Sequence, residues 1–281
     1  MSKICIIPNS IEMINKTLKY SDAYIIGIDK LSINMPFYFS LDEVYMINNI
    51  LKESKKELFI CLNKNMFNSD INLLEEILKS IDKLNIKGIL YYDISLVELK
   101  EKLNLKTDLV WSQEHFTTNY YTINYWYDLG VKYTYMSNEI TLDELEEIRK
   151  NTDSKLMLQV FGYIPLFTSK RRLVNNYKEY FKLNNNSDIY YMEKEGYKYP
   201  LKENKDGTAV YSASPINSIK DFDKIDKIVD YSVLNCFLID DLKFIEIVKH
   251  YFNREKFDSI YNDTYFLHKE SIYKVIRNAK N

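Results

Sequence analysis

The chain has 281 residues, of which 46% are hydrophobic and 28% charged, enough to build the core of one large domain. Its formal net charge of −2 excludes a global field that would attract nucleic acid or anionic membranes, although a local basic patch stays open. Because no apolar run approaches roughly 18 residues and the start MSKICIIPNS has no signal-peptide core, we expect a soluble, cytoplasmic protein that does not contact a membrane.

Short apolar runs recur along the chain and predict eight strands with the continuous hydrophobicity of a parallel sheet. In chain order they cover residues 4–8, 23–28, 58–63, 88–93, 109–113, 133–137, 156–161 and 233–239. Amphipathic stretches of helical spacing, such as 73–84 and 142–148, separate them. Eight repeats of strand and helix favour an α/β fold, a (β/α)8 TIM-like barrel, over a doubly wound open sheet. We predict one domain over 1–281.

The boundaries between these elements have recognisable signals. Ser40 with Glu43, and Thr141 with Glu144, have the spacing of capping boxes that begin helices. Gly88 and Gly130 each precede a strand and suit the glycine position that ends a helix.

One Tyr-rich, alternating segment interrupts the repeat before the last strand. Gly196 and the pair Asp206–Gly207 supply turn residues, so we predict β-hairpins inserted over about 186–213. A short helical tail is predicted over about 250–281. The insertion would lie on the C-terminal face of the barrel, where strand-to-helix loops carry function.

Polar residues follow the predicted strands at this face, and together they would line a cavity rich in amides and carboxylates. Each one alone suits a strand-end cap equally well. His115 follows the fifth strand, and histidine as a residue type suits proton transfer, whereas His250 and His268 are interpreted as structural. In a hydrolase, Glu139 or Asp93 would act as the general base with His115 assisting. The further predicted contacts of a substrate at these loops are Asn63, Gln113, Asn119 and Tyr163.

The segment VFGYIPLFTSKRRLVNNYKEYF, residues 160–181, is the strongest local feature. Gly162 and Pro165 break the seventh strand, and a basic cluster follows. Guanidinium groups bind carboxylate or phosphate in a bidentate manner, so we predict a substrate contact formed by Ser169, Lys170, Arg171, Arg172 and Asn176. A solvated basic turn that enters a helix is the alternative.

At this segment the chain resembles peptidase family U32, the collagenase-like proteases. Gly162, Ser169, Arg171, Asn176 and Tyr177 match the family signature in order, while Lys170 stands for a glycine and Arg172 for a cysteine. Flanking matches are Ser112 with Gln113, Asn119, Ser137 with Glu139, the run TLDELEEIRK, and the hairpin sequence YKYPLKENKDGTAVYSASPI. The resemblance covers most of residues 1–250 and is most specific over 107–176.

The resemblance implies an iron–sulfur cluster on four cysteines in the better-understood members. Here Cys5, Cys61 and Cys236 lie in scattered apolar runs outside the signature. Because cluster ligation requires thiolates, we expect no cluster, no other cofactor and no metal site in this chain. The extra C-terminal domain of longer members is also expected to be absent.

Three functions stay open. The family name implies a peptide hydrolase, which we take as the main hypothesis, although no nucleophile–base pair or metal-ligand spacing supports it. Some members resemble RNA-hydroxylation factors, so the alternative is a factor or subunit for hydroxylation of tRNA or rRNA, in which a partner subunit supplies the cluster. The third hypothesis is an inactive barrel that binds a ligand or partner.

Overall fold

A computed structural model of the chain describes residues 1–113 and 115–268. Its strands, in chain order, are β1 (Lys3–Ile7), β2 (Ala23–Ile28), β3 (Tyr38–Phe39), β4 (Glu57–Leu62), β5 (Gly88–Tyr91), β6 (Asp108–Trp111), β7 (Tyr133–Tyr135), β8 (Lys155–Gly162), β9 (Pro165–Ser169), β10 (Tyr190–Lys194), β11 (Tyr197–Asn204), β12 (Gly207–Tyr211), β13 (Ile216–Asn217) and β14 (Tyr231–Asn235). Its α-helices are α1 (Ile11–Thr17), α2 (Leu41–Glu53), α3 (Ile71–Ile81), α4 (Ser95–Leu103), α5 (Tyr120–Asp128), α6 (Leu142–Lys150), α7 (Leu173–Phe181), α8 (Phe222–Ile228) and α9 (Asp241–Asn253).

Eight parallel strands close into a barrel, which confirms the predicted fold. Around the barrel the order is β1, β2, β4, β5, β6, β7, β8 and β14, and β14 returns to pair with β1. Helices between consecutive strands cover the outside, because a parallel connection must cross back over the sheet. The C-terminal ends of all eight strands therefore point to one face.

Two hydrophobic clusters follow from the alternation of side chains along each strand. One lies inside the barrel and includes Cys5, Phe59, Val110, Met157 and Val233. The larger cluster lies between the barrel and the helices. Both predicted capping boxes are present, at Ser40 with Glu43 and at Thr141 with Glu144.

The insertion is a four-stranded antiparallel sheet in the order β10–β11–β12–β9. The first hairpin turns at Glu195–Gly196, where Gly196 has φ of 79° as predicted, and the second turns at Lys205–Asp206. Gly207, predicted as a turn residue, instead begins β12 with φ of 129°, where a Cβ would lie 2.0 Å from the Ser169 carbonyl oxygen. Pro165 does more than break the seventh strand, since it begins β9. This strand pairs only with β12, and a proline is tolerated at the start of such an edge strand.

Other expectations need correction. Gly130 ends α5 with φ of 88°, as predicted, but Gly88 is the first residue of β5 and has no left-handed backbone. There a Cβ would lie 3.0 Å from Val110 Cγ2, so interior packing explains this glycine. In the predicted helical tail, α9 ends at Asn253 and residues 254–268 form loop and turns, while 269–281 lie outside the described residues. No helix in the described ranges is long and apolar enough to cross a membrane.

Candidate functional site at the C-terminal face

The strand ends surround a small pocket, which we call the mouth pocket, lined both by apolar side chains such as Ile25 and Leu90 and by polar ones. Side chains alternate along each strand, so the position two residues beyond an interior apolar residue also faces the lumen. Cys61 is thus followed by Asn63, and Met157 by Gln159. The polar lining is Asn34, Asn63, Ser112, His115, Ser137, Asn138, Glu139, Gln159 and Asn235, with Ile164 and Pro165 above it.

His115 and Glu139 meet at the edge of the mouth pocket. Their Nδ1 and Oε1 atoms are 3.5 Å apart, and the side chains are 47% and 41% exposed. This distance exceeds a normal hydrogen bond, so the contact is an ion pair when the imidazole is protonated. The backbone N–H of Glu139 donates to Ser137 Oγ at 3.1 Å, which fixes the loop after β7. The two groups can hold or transfer a proton beside a bound ligand.

Gln159 stabilises the turn between β8 and β9, which passes over the mouth pocket. Its Nε2 donates to the carbonyl oxygen of Tyr163 at 3.0 Å, and its own carbonyl accepts from Asn138 Nδ2 at 2.7 Å. Gly162 follows with φ of 115°, and a Cβ there would lie 2.4 Å from the Asn235 carbonyl oxygen. Only glycine therefore allows the turn that leads into β9.

A second cavity, which we call the rim groove, continues outward from the mouth pocket. It has a volume of about 330 Å³, within the range of roughly 300–1,000 Å³ for small-molecule sites. The Nδ2 of Asn34 donates to Thr168 Oγ1 at 3.0 Å and ties the loop after β2 to β9. The Nζ of Lys170 lies 3.6 Å from the centre of the Phe67 ring, a cation–π contact at the outer edge.

The predicted basic cluster lies on the insertion beyond the rim groove. Arg171 and Arg172 are exposed, and neither forms an ion pair with any described residue. Ser169 Oγ accepts from the backbone N–H of Arg171 at 3.2 Å. The first turn of α7 is capped by the carboxylate of Glu203, which accepts from the Val174 and Asn175 amides at 2.8 and 3.0 Å. An anion at this cluster would therefore bind the guanidinium groups, because the helix N-terminus is already occupied.

Several predicted site residues have other contacts. Asp93 accepts from the backbone amides of Met66 and Ser95 at 2.9 and 3.0 Å and does not line either cavity, so the geometry favours Glu139 as the base. Gln113 Nε2 donates to the Tyr92 carbonyl at 3.3 Å.

The remaining predicted residues also lie outside the two cavities. Asn119 caps α5 through the amide of Thr122. Asn176 is exposed on α7. Tyr163 packs edge-on against Phe237 with ring centres 6.4 Å apart, and burial raises the pKa of its phenol.

Residues that sequence reasoning missed also line or approach the site. Asn34 and Asn235 line the mouth pocket. Burial, and after it the charges of Glu139 and Asp263, raises the pKa of the phenol of Tyr265, near the end of the described chain. The alternation along the strands was a usable signal for Asn235. No local signal marks Tyr265, which is far from the barrel loops in sequence.

The cysteines do not fit an iron–sulfur cluster. Cys5 and Cys61 lie inside the barrel and Cys236 packs against the helices. Burial raises the pKa of the Cys5 and Cys236 thiols, which disfavours the thiolates that iron requires. Arg172, at the signature cysteine position, is exposed on the insertion. Across residues 1–113 and 115–268, no group of three His, Cys, Asp or Glu side chains could hold a metal ion.

Comparisons with known proteins agree with the fold. The sequence profile of peptidase family U32 matches residues 10–280. The chain is 26% identical over 249 residues to the tRNA hydroxylation protein P2 of Bacillus subtilis (strain 168), covering 84% of this chain and 79% of that protein. It is 19% identical over 139 residues to the tRNA hydroxylation protein P1 of the same organism, covering 50% of this chain and 33% of that protein. A solved structure of a U32 peptidase superposes with a TM-score of 0.54 at 13% identity, covering 83% of this chain and 92% of that one.

Proposed function

Since this chain belongs to peptidase family U32 and resembles proteins named for tRNA hydroxylation, we propose that it binds tRNA and takes part in the hydroxylation of that RNA. The proposal rests on three surfaces that lie next to one another at the C-terminal face of the barrel. An amide-lined mouth pocket opens into a rim groove edged by Lys170 over Phe67, and beyond it lie Arg171 and Arg172, which form no ion pair with a described residue.

Each surface has a role in RNA binding. Asparagine and glutamine amides both donate and accept, so they suit the hydrogen-bonding edge of a nucleobase. An exposed aromatic ring such as Phe67 stacks on an unpaired base, and guanidinium groups bind phosphate. The base would lie in the rim groove, of about 330 Å³, and present its edge to the amides at the opening of the mouth pocket, which at about 60 Å³ is too small to hold a nucleotide.

The chain's own chemistry would be binding and proton handling. His115 and Glu139 would accept or hold a proton at the edge of the pocket during the reaction. The described cysteines do not form a ligand set for a cluster, so we propose that a partner subunit supplies the oxidising group. The pairing of the names P1 and P2 in one organism supports a partner.

Peptide hydrolysis is the second candidate. His115 Nδ1 and Glu139 Oε1 lie 3.5 Å apart, and such a pair is able to activate a water molecule as a general base. A binding-only barrel is the third. The RNA proposal is favoured because the relative that covers 84% of this chain is a tRNA hydroxylation protein.

The test is a gene deletion followed by mass spectrometry of the nucleosides in total tRNA. Complementation uses the wild type, the double variant Arg171→Ala/Arg172→Ala, and the matched surface control Lys224→Ala/Lys243→Ala. We expect one hydroxylated nucleoside to disappear on deletion and to return with the wild type and the control but not with the arginine variant. Unchanged nucleosides in both tRNA and rRNA would overturn the RNA proposal, and cleavage of a peptide library by the purified protein would replace it.

A further inference from the structure

The opposite, N-terminal face of the barrel has a basic depression, which we call the lysine pit. It has a volume of about 520 Å³ and is formed by the loops that lead into β4, β5 and β6. The charged lining is Lys52, Lys55, Lys56, Lys87 and Lys106, against two carboxylates, Glu57 and Asp108. A chain with a net charge of −2 thus concentrates positive charge at one place.

Of the two carboxylates in the pit, Glu57 is already engaged. Glu57 accepts from Lys3 Nζ at 2.7 Å through one oxygen and from the Tyr231 hydroxyl at 2.9 Å through the other. By contrast, Lys52, Lys55 and Lys106 are exposed, and no ion pair with a described residue involves them. These three lysines are therefore available to an external anion.

Helix dipoles explain the lysines only in part. A lysine near a helix C-terminus stabilises the helix by about 0.3–1 kcal/mol, and Lys52 lies in the last turn of α2. This effect does not require lysines from three consecutive loops to converge on one depression. A polyanion with regularly spaced charges makes use of such convergence.

The location of the pit connects it to the mouth. The strands β4, β5 and β6 begin at the lysine pit, and the loops that follow β4 and β6 carry Phe67 and His115 at the other face. A strand of six residues, such as β4, spans about 20 Å. An RNA whose unpaired nucleotide lies in the rim groove can therefore reach the pit along the same side of the barrel.

We infer that the lysine pit is a second contact for the RNA, which binds its phosphate backbone without reading sequence. The identity of this RNA as tRNA rests on the proposed function, whereas the binding of a polyanion does not. Lysine ammonium groups act here as point charges, so the contact would be strongly dependent on salt.

The experiment measures binding of total tRNA to the full chain by fluorescence anisotropy from 50 to 200 mM KCl. The pit variant is Lys52→Gln/Lys55→Gln/Lys106→Gln. Its matched control, Lys220→Gln/Lys224→Gln/Lys243→Gln, removes the same charge from exposed positions at α8 and α9. We expect about a tenfold weaker affinity for the pit variant at 0.1 M salt and a salt slope lower by about three. The arginine version, Lys52→Arg/Lys55→Arg/Lys106→Arg, should bind like the wild type.

Two results would overturn the inference. One is equal affinity and salt slope for the pit variant and its control. The other is competition by poly-glutamate as effective as that by tRNA at equal charge, which would identify an acidic polypeptide as the occupant. The two proposals can fail independently. If the pit variant loses affinity for tRNA but the gene deletion changes no nucleoside, the hydroxylation proposal is wrong and the inference about the lysine pit is kept. If hydroxylation requires the chain but the pit variant binds tRNA with the affinity of the wild type, the inference about the lysine pit is wrong.

Discussion

His115 Nδ1 lies 3.5 Å from Glu139 Oε1, where the loops after β6 and β7 meet above the mouth pocket. Both side chains are nearly half exposed, so their attraction contributes at most about 1 kcal/mol to the free energy of unfolding. The fold therefore does not depend on this pair. A substitution at His115 or Glu139 should therefore change the activity of the site without changing the stability of the barrel.

Glu139→Gln should lower formation of the hydroxylated nucleoside by about 100-fold or more, because the amide cannot accept a proton. The free energy of unfolding should change by less than about 0.5 kcal/mol. Mass spectrometry of tRNA from complemented deletion cells and thermal unfolding measure the two effects. Glu246→Gln, an exposed change on α9, serves as the control. Normal nucleoside levels with Glu139→Gln would remove the proton-handling role.

Phe67→Ala should weaken tRNA binding by about 1–3 kcal/mol, since the ring would stack on an unpaired base beside Lys170. Titration of labelled tRNA at fixed salt measures the change in Kd. Tyr125→Ala removes a similarly exposed aromatic ring from α5 and should have little effect. If both alanine variants bind equally, Phe67 does not contact the RNA.

Gly162→Ala should destabilise the protein by more than Gly130→Ala does. Both residues have positive φ, at 115° and 88°, so both substitutions incur the left-handed cost of about 1–2 kcal/mol. Only at Gly162 would the new Cβ also collide with the Asn235 carbonyl oxygen, whereas nothing lies within 4 Å at Gly130. Chemical denaturation of the two variants tests this order. A smaller loss in the free energy of unfolding for Gly162→Ala than for Gly130→Ala would mean that the turn between β8 and β9 adjusts to the new Cβ without cost.

Asp226→Asn should weaken the pH dependence of stability in acid. Burial acts to raise the pKa of Asp226, but hydrogen bonds from Ser2 and Arg254 outweigh it and lower the pKa below the ordinary 3.8. A carboxyl with a lowered folded pKa stabilises the protein above the unfolded pKa, and this contribution is lost as pH falls through the folded pKa.

The wild type should therefore lose stability below about pH 4 more steeply than Asp226→Asn, which should be less stable by about 1–3 kcal/mol at pH 7. Urea unfolding between pH 2.5 and 7 measures both curves. If the free energy of unfolding of the two proteins varied in parallel with pH over this range, the lowered pKa of Asp226 would be contradicted.

The barrel could be predicted from sequence because its strands are continuous apolar runs. The prediction extended strands too far, to 63 and 93, since it included the polar residues Asn63 and Asp93 that follow them, and to 239, since residues 236–239 are apolar although β14 ends at Asn235. It missed β9 because Pro165 usually excludes a strand, and only pairing with the distant β12 shows that this is an edge. The hairpins were predictable because Gly196 occupies a turn that requires positive φ and Asp206 lies in the next turn, directly before β12.

The site was harder to predict because position at a strand end does not fix where a side chain points. Asp93 and Asn119 follow strands, yet backbone amides take up their oxygens. Asn63 and His115 follow strands as well and do line the mouth pocket.

The pairing of β1 with β14 has a consequence for synthesis on the ribosome. The first strand of the barrel leaves the ribosome early, but one of its neighbours is the last barrel strand, residues Tyr231–Asn235. Until that strand emerges, β1 and β8 each keep an unpaired edge that can join another chain. The nascent protein is therefore exposed to aggregation until β14 has emerged, and we expect its yield to depend on chaperones that bind such edges.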